Sequence, residues 1–208
     1  METEGVIKFD LQFTRADPTI TDLDELNRWR SILWNLKLIG QDPGRYGGYG
    51  FGNVSQRIEP FYAARGNRAF VISGTQTGKL ELLENKHYAT VSAWDATRNR
   101  VIASGLVKPS SESLTHAAIY DSNDALRVIL HVHSPEIWNS AADKGIASTD
   151  TSVEYGTPAM AEEVRRLFKL TDACQAGIFS MGGHEDGVVS FGTGVEQAGQ
   201  VLLRALGV

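Results

Sequence analysis

Cysteine is almost absent from this sequence: of 208 residues only Cys174 is one. No internal disulfide can form, and neither can a metal site built on thiolates alone; a reducing compartment suits such a chain. Long apolar runs are missing as well, since nowhere do the roughly 20 apolar residues of a bilayer span follow one another. There is no surplus of positive charge. Twenty Lys and Arg stand against 25 Asp and Glu, for a net charge of −5, so nothing draws the chain generally to nucleic acid or to an anionic membrane. The opening Met1-Glu2-Thr3-Glu4 is acidic and has neither the basic nor the apolar region of a signal peptide. A cytoplasmic location is therefore expected. Repeats, low-complexity tracts and boundary linkers are also lacking, and one domain over residues 1–208 is the economical expectation.

What is present suffices for a folded core. The residues are 42% hydrophobic and 22% charged, which excludes bulk disorder. Of twenty-one glycines, thirteen cluster at 40–52, 74–78 and 182–194, where backbone turns sharply or approaches a ligand. A helix is predicted over about 21–38, capped by Thr21, with Leu26, Trp29, Leu33 and Leu36 on one face and Gly40 as its stop. Strands are predicted at 54–58, 69–73, 90–94, 101–104, 126–133, 178–181 and 188–191. Pro109-Ser110-Ser111-Glu112 starts a helix that continues to Tyr120, Thr157 and Pro158 open another to Leu170, and Val195 to Leu206 form the last. In the strand at 126–133, Leu126, Val128, Leu130 and Val132 share one face, and Arg127, Ile129, His131 and His133 the other. Interleaved helices and strands indicate an α/β domain.

The sharpest chemical signal is His131-Val132-His133. On a strand, residues i and i+2 lie on one face about 6.6 Å apart, close enough for both imidazoles to hold one ion, though two hydrogen-bonded histidines at a sheet end would read the same. His184, in the Gly-rich turn Ser180-Met181-Gly182-Gly183-His184-Glu185-Asp186-Gly187, could present a third ligand at the sheet end. Three neutral imidazoles with an open position describe a catalytic rather than a structural zinc site. Protons compete for imidazole, so metal affinity is expected to fall as pH drops through about 6.5. In Pro-Ser-Ser-Glu, two hydroxyls and free N–H groups at a helix start could cradle an anion, or simply cap the helix. Glu112 could be a dipole partner or a general base. The Asn53 and Thr77-Gly78 loops are turns that could also donate to a phosphate.

In combination these residues resemble the class II aldolase/adducin family. The resemblance rests on Gly52-Asn53-Val54-Ser55, a Thr-Gly loop, Pro-Ser-Ser-Glu, His-x-His nineteen residues after Glu112, and the late histidine in a Gly-rich turn. It runs in order from about Trp29 to Leu206. The resemblance implies a three-layer α/β/α sandwich around a central mixed, largely antiparallel sheet, assembled as a homotetramer. It implies a divalent metal, most commonly Zn2+, on His131, His133 and His184, and Glu112 as the proton-transfer residue. It places a substrate phosphate on Asn53, Thr77, Gly78, Ser110 and Ser111, with Ser73-Gly74 or Thr75 as alternatives in the longer loop. The implied substrate is a phosphorylated sugar or hydroxy-ketone, cleaved by a metal-dependent lyase. The same chemistry serves an epimerase or dehydratase, and adducin-like members act as scaffolds.

The sequence departs from the family pattern in four places. Glu185 and Asp186 intervene between His184 and its glycine; each reads as a partner orienting an imidazole or as a solvated turn residue, the second reading being the nearer for Asp186. The loop at 41–52, with Tyr46, Tyr49 and Phe51, is longer and more aromatic than usual. Only 24 residues follow His184, against a longer tail in the aldolases. The family's tyrosine proton donor has no clear counterpart, and Tyr155 reads as packing. His116, one turn after Glu112, reads as a packed helix histidine, and His87 as a surface residue.

Overall fold

The computed structural model describes residues 5–19 and 21–208; the acidic Met1–Glu4 segment lies outside the described residues. In chain order the elements are β1 (Asp10–Arg15), α1 (Asp24–Asn35), β2 (Gly40–Gln41), β3 (Gly50–Phe51), β4 (Asn53–Arg57), β5 (Phe70–Ser73), β6 (Tyr88–Asp95), β7 (Arg100–Gly105), α2 (Ser113–Ser122), β8 (Val128–His133), α3 (Pro135–Asn139), α4 (Pro158–Leu170), α5 (Ala173–Ala176), β9 (Ile178–Ser180), β10 (Gly187–Gly192) and α6 (Val195–Leu206). Eight strands form one sheet in the order β1-β7-β6-β5-β4-β8-β10-β9. Among the described strands of this sheet, β1 pairs in parallel along β7 and the other strand pairs are antiparallel. β2 and β3 make a separate two-stranded ribbon.

Period-two alternation gives the sheet two apolar faces, and each needs a cover. On one face Leu114 and Ala117 of α2 and Met160 and Val164 of α4 pack with Ile129, Phe179, Val189 and Phe191. On the other, Leu26 and Leu33 of α1 and Ala198 and Leu202 of α6 pack with Val54, Leu130, Val132 and Val188. The result is the expected α/β/α sandwich around a mixed, mostly antiparallel sheet. β8 is an interior strand, between β4 and β10, and is buried on both faces. Each fully buried Val, Leu or Phe contributes about 1.5–3 kcal/mol, so these two faces dominate the stability. Among the described residues no helix is long and apolar enough to cross a membrane.

Several expectations shift locally. α1 begins at Asp24 with Leu23 in the cap position, and it is Asp22, not Thr21, whose carboxylate accepts the Asp24 N–H at 3.0 Å. The helix ends before Gly40, through Leu36 and a left-handed Lys37 (φ 58°). Gly40 instead enters β2. Leu126 precedes β8 and packs on the face opposite Val128, Leu130 and Val132. Strand geometry starts only at Val128, so the alternation cannot be carried back to Leu126. β1 was not anticipated: its apolar content is Leu11 and Phe13 alone, on an edge strand that is mostly exposed. Thr157 caps α4 as expected, accepting the Met160 N–H at 3.3 Å.

α1 and α6 cross closely at one glycine. A Cβ on Gly199 would lie 2.2 Å from Cε3 and Cζ3 of Trp29, a rigid ring whose Nε1 donates to Glu196 at 3.0 Å. Gly199→Ala would gain about 1 kcal/mol in helix propensity and lose about 1–3 kcal/mol to overpacking. The variant is therefore expected to melt below the parent in a thermal scan. An equal or higher midpoint would show that the two helices can separate at no cost.

Candidate metal centre and anion cradle

The register of three neighbouring strands places most of the candidate residues. Asn53 of β4 lies directly across from His131 of β8, and Val189 of β10 lies on its other side. His133 pairs with Gly187 at the start of β10. The turn between β9 and β10 thus ends beside His133, and it delivers His184 to the same sheet end. Within it the Met181 N–H donates to the Gly187 carbonyl, and the His184 N–H to the Met181 carbonyl, at 2.8 and 3.1 Å. Gly187 is required for this closure, since a Cβ there would sit 2.7 Å from Cδ2 of His184.

One donor nitrogen from each of His131, His133 and His184 lies within 4.8 Å of the other two. Ring centroids are 5.0, 5.4 and 4.7 Å apart for the pairs 131–133, 131–184 and 133–184. All three rings are at least 97% buried. His131 Nδ1 faces the Val188 carbonyl at 3.3 Å, and a carbonyl can only accept, so Nδ1 carries the proton. Nε2 is then a bare lone pair, buried and without a hydrogen-bond partner among the described residues. A buried lone pair with no donor is costly unless a cation meets it. The donor set fits a divalent ion held by three imidazoles. Nothing in it selects zinc among the ions that imidazole accepts.

Glu112 occupies the cap position of α2 and is 1% exposed. Its Oε1 lies 3.7 Å from His184 Nε2, which puts the carboxylate against the imidazole cluster. One turn along α2, His116 holds this placement. Its Nδ1 lies 2.7 Å from Ser55 Oγ, which lies 2.8 Å from Tyr120 OH, and that phenol donates to the Arg127 carbonyl at 3.3 Å. The single proton on each hydroxyl fixes the direction of the chain: His116 donates to Ser55, and Ser55 to Tyr120. His116 is thus a packed helix histidine, pinning α2 to β4.

The phosphate candidates meet in one place. Asn53, Thr77, Gly78, Ser110 and Ser111 line a polar cavity of about 20 Å3, together with Gly5, Gly50, Gly52, Gly74, Thr75 and Gln76. Ser110 Oγ accepts the Glu112 N–H at 3.2 Å, and Thr77 Oγ1 donates to the Gly74 carbonyl at 2.8 Å. Ser73 is not in the lining; its hydroxyl is committed to the Val54 N–H at 3.1 Å. Helix α2 itself starts at Ser113, so Pro109–Ser111 forms the turn before it rather than its first turn. The buried Asn53 Oδ1 has no hydrogen-bond partner among the described residues. Gly52 (φ 74°) allows the approach: a Cβ there would be 2.7 Å from Ile39 and 3.1 Å from the His131 carbonyl. A larger cavity, about 730 Å3, is lined by Trp34, Lys37, Lys79, Arg45 and Phe51 among others. None of the three histidines lines either space.

Two residues, Asp186 and His87, sit deeper than their sequence context suggests, and Tyr155 packs against the cluster. Asp186 is no solvated turn residue: its side chain is 13% exposed, and its Oδ2 accepts the Tyr46 hydroxyl at 2.6 Å. Tyr46 sets its ring 4.6 Å from that of His133. Tyr155 packs as expected, fully buried, but against His184, at 4.5 Å between ring centroids. His87 is half-buried rather than exposed, accepting the Glu84 N–H on Nδ1 at 3.0 Å. The signal for Tyr46 and Asp186 was present in the sequence as two insertions, but nothing in it showed that the insertions touch.

Burial lowers the pKa of all three histidines, to about 4 for His131 and well below 6.5 for His133 and His184, where the neighbouring imidazoles add to the effect. The folded rings are therefore neutral at neutral pH and ready to bind a cation. Proton competition for the metal then starts below the 6.5 expected of free imidazole. A second consequence concerns the metal-free protein. Between about 6.5 in the unfolded chain and about 4 in the fold, the unfolded state binds more protons, so acidification favours unfolding. Urea midpoints of metal-free protein are expected to fall steadily from pH 6.5 downward. Midpoints constant from pH 7 to 5 would contradict rings buried in the neutral form.

The family described as class II aldolase and adducin N-terminal domain matches residues 45–203. No curated protein sequence matches the chain. Among solved structures, an L-fuculose 1-phosphate aldolase is similar, with a TM-score of 0.64, 16% identity, and coverage of 91% of this chain and 84% of that one. The sugar-phosphate aldolase of Thermotoga maritima aligns at TM-score 0.58 and 16% identity over 89% of this chain and 94% of its own. YgbL of Escherichia coli, provisionally described as an aldolase, epimerase or decarboxylase, aligns at 0.59 and 18% over 87% and 83%. At these identities the likeness is one of fold.

Proposed function

This chain belongs to the class II aldolase and adducin family, and from that membership we propose that it is a divalent-metal-dependent lyase cleaving a phosphorylated hydroxy-ketone. The observation that carries the reading is the meeting of three buried imidazole donors within 4.8 Å, with the Glu112 carboxylate 3.7 Å from one of them. A scaffold has no use for such a cluster. The buried Nε2 lone pair of His131 costs stability unless a cation meets it, which argues against an adducin-like role. Zn2+ is the first candidate, and a homotetramer the assembly the family suggests.

A divalent ion bound by His131, His133 and His184 would act as a Lewis acid, stabilising the enediolate charge that develops when the carbon–carbon bond breaks. The remaining steps fall to the chain. Asn53, Thr77, Gly78, Ser110 and Ser111 hold the phosphate through amide, hydroxyl and backbone N–H donors, fixing the reacting carbons relative to the imidazoles. Glu112 takes or returns the proton at the substrate carbon. Its burial against α2 and beside His184 keeps water away from that transfer. His116, through Ser55, keeps Glu112 in register without touching substrate. The same parts would support epimerisation or dehydration, and product analysis separates them: a free aldehyde, an isomer, or loss of water.

Three variants test the assignment. His131→Ala is expected to abolish stoichiometric divalent metal, measured by mass spectrometry of the dialysed protein, and turnover with it. Glu112→Gln is expected to keep the metal and lose about 10²–10⁴ in kcat. Ser110→Ala is expected to raise KM for a phosphorylated substrate more than for its dephosphorylated analogue. Protein that holds no divalent ion, with His131→Ala indistinguishable from the parent, would defeat the proposal.

A further inference from the structure

Two of the places where this sequence departs from its family meet in space. The aromatic loop at 41–52 and the Glu185-Asp186 insertion after His184 are about 140 residues apart in the chain. Tyr46 donates its hydroxyl to Asp186 Oδ2 at 2.6 Å, and Arg45 Nη2 donates to the same phenol oxygen at 2.7 Å. Arg45 also reaches the His133 carbonyl at 3.4 Å and stacks over Phe51, 4.6 Å from its ring. Tyr46 and Phe51 together flank the His133 ring, at 4.6 and 5.5 Å. Asp186, two residues past His184, takes a backbone bond from the Ser134 N–H at 2.8 Å, next to His133. Both Tyr46 (φ 48°) and Asp186 (φ 61°) sit in the left-handed region, which a non-glycine residue occupies at a cost that its surroundings must offset.

We propose that the Tyr46–Asp186 hydrogen bond is a tether that positions two of the three metal ligands. Resting on the metal-centre reading above, it assigns Tyr46 and Asp186 as positioning residues, not catalytic ones. His131 is held by the sheet itself, through Val188. His184 rides on a turn, and its distance from His133 depends on what fixes that turn. The tether joins the loop that boxes the His133 ring to the turn that carries His184. Cutting it leaves the fold intact and lets the two imidazoles drift relative to each other. Outer partners of this kind typically change metal affinity about 10–100-fold.

The test is competition of full-length protein against a chromophoric chelator for Zn2+. Tyr46→Phe keeps the ring against His133 and removes only the hydroxyl; its zinc affinity should fall about 10–100-fold. Asp186→Ala should fall by a similar factor. Asp186→Asn keeps an oxygen acceptor and suits a left-handed backbone, so it should recover most of the affinity. The double variant Tyr46→Phe/Asp186→Ala should be no weaker than either single one, because the two act through one bond. The melting midpoint of metal-free protein is the control: a merely structural role would lower it and leave zinc affinity alone. Parent protein that binds zinc, with Tyr46→Phe within twofold of it or losses that simply add, overturns the tether and spares the metal centre. Parent protein that binds no zinc overturns both.

Discussion

The pairing of β8 with β10 is the constraint on which the rest depends. It is antiparallel and runs the full length of both strands, from Gly187 beside His133 to Gly192 beside Val128. Because the strands run in opposite directions, the end of β8 that carries His131 and His133 is the end at which the chain enters β10. The turn just before β10 therefore has nowhere to go but over those two rings. His184 arrives there through sheet register, and the glycines of the turn serve to let it pass. On the other side β4 runs antiparallel to β8 and places Asn53 across from His131. One strand thus orders both the imidazole cluster and the start of the anion cradle.

The helices add the acidic partner. α2 crosses the face that carries His131, and its Glu112 end meets the cluster while its far end is anchored under the sheet. The His116–Ser55–Tyr120 chain, buried throughout, sets its height and register. Hydrogen bonds of this kind contribute only about 0.5–1.5 kcal/mol each to stability, but leaving such groups unpaired in the core would cost more. They select one seating of α2 among several that its apolar side chains alone would allow.

Much of this was legible in the sequence, for identifiable reasons. α4 was readable to the residue because its periodicity and its start signals, Thr157 and Pro158, agree, and α6 because Val195, Ala198, Leu202 and Leu206 keep one helical stripe. His-x-His was readable because a strand's two-residue period needs no tertiary information. β1 was not, since two apolar residues on an edge strand carry too weak a pattern against its exposed neighbours. The stop of α1 was misplaced because a left-handed Lys37, not a glycine, breaks the helix; propensity gives no warning of such a residue. Asp186 was misjudged for a deeper reason. An acidic residue between glycines looks solvated in sequence, and only the folded loop shows the tyrosine that claims it.

The central claim is that three imidazoles close on a single divalent ion. X-ray absorption on zinc-loaded protein addresses this directly, because the edge region and the scattering pattern of histidine rings report ligand type and number together. The account predicts three imidazole nitrogens at about 2.0–2.1 Å, with the rest of the shell made of light oxygen donors. A shell with one imidazole or none would mean that His131, His133 and His184 do not share an ion, and the proposed chemistry would have no centre.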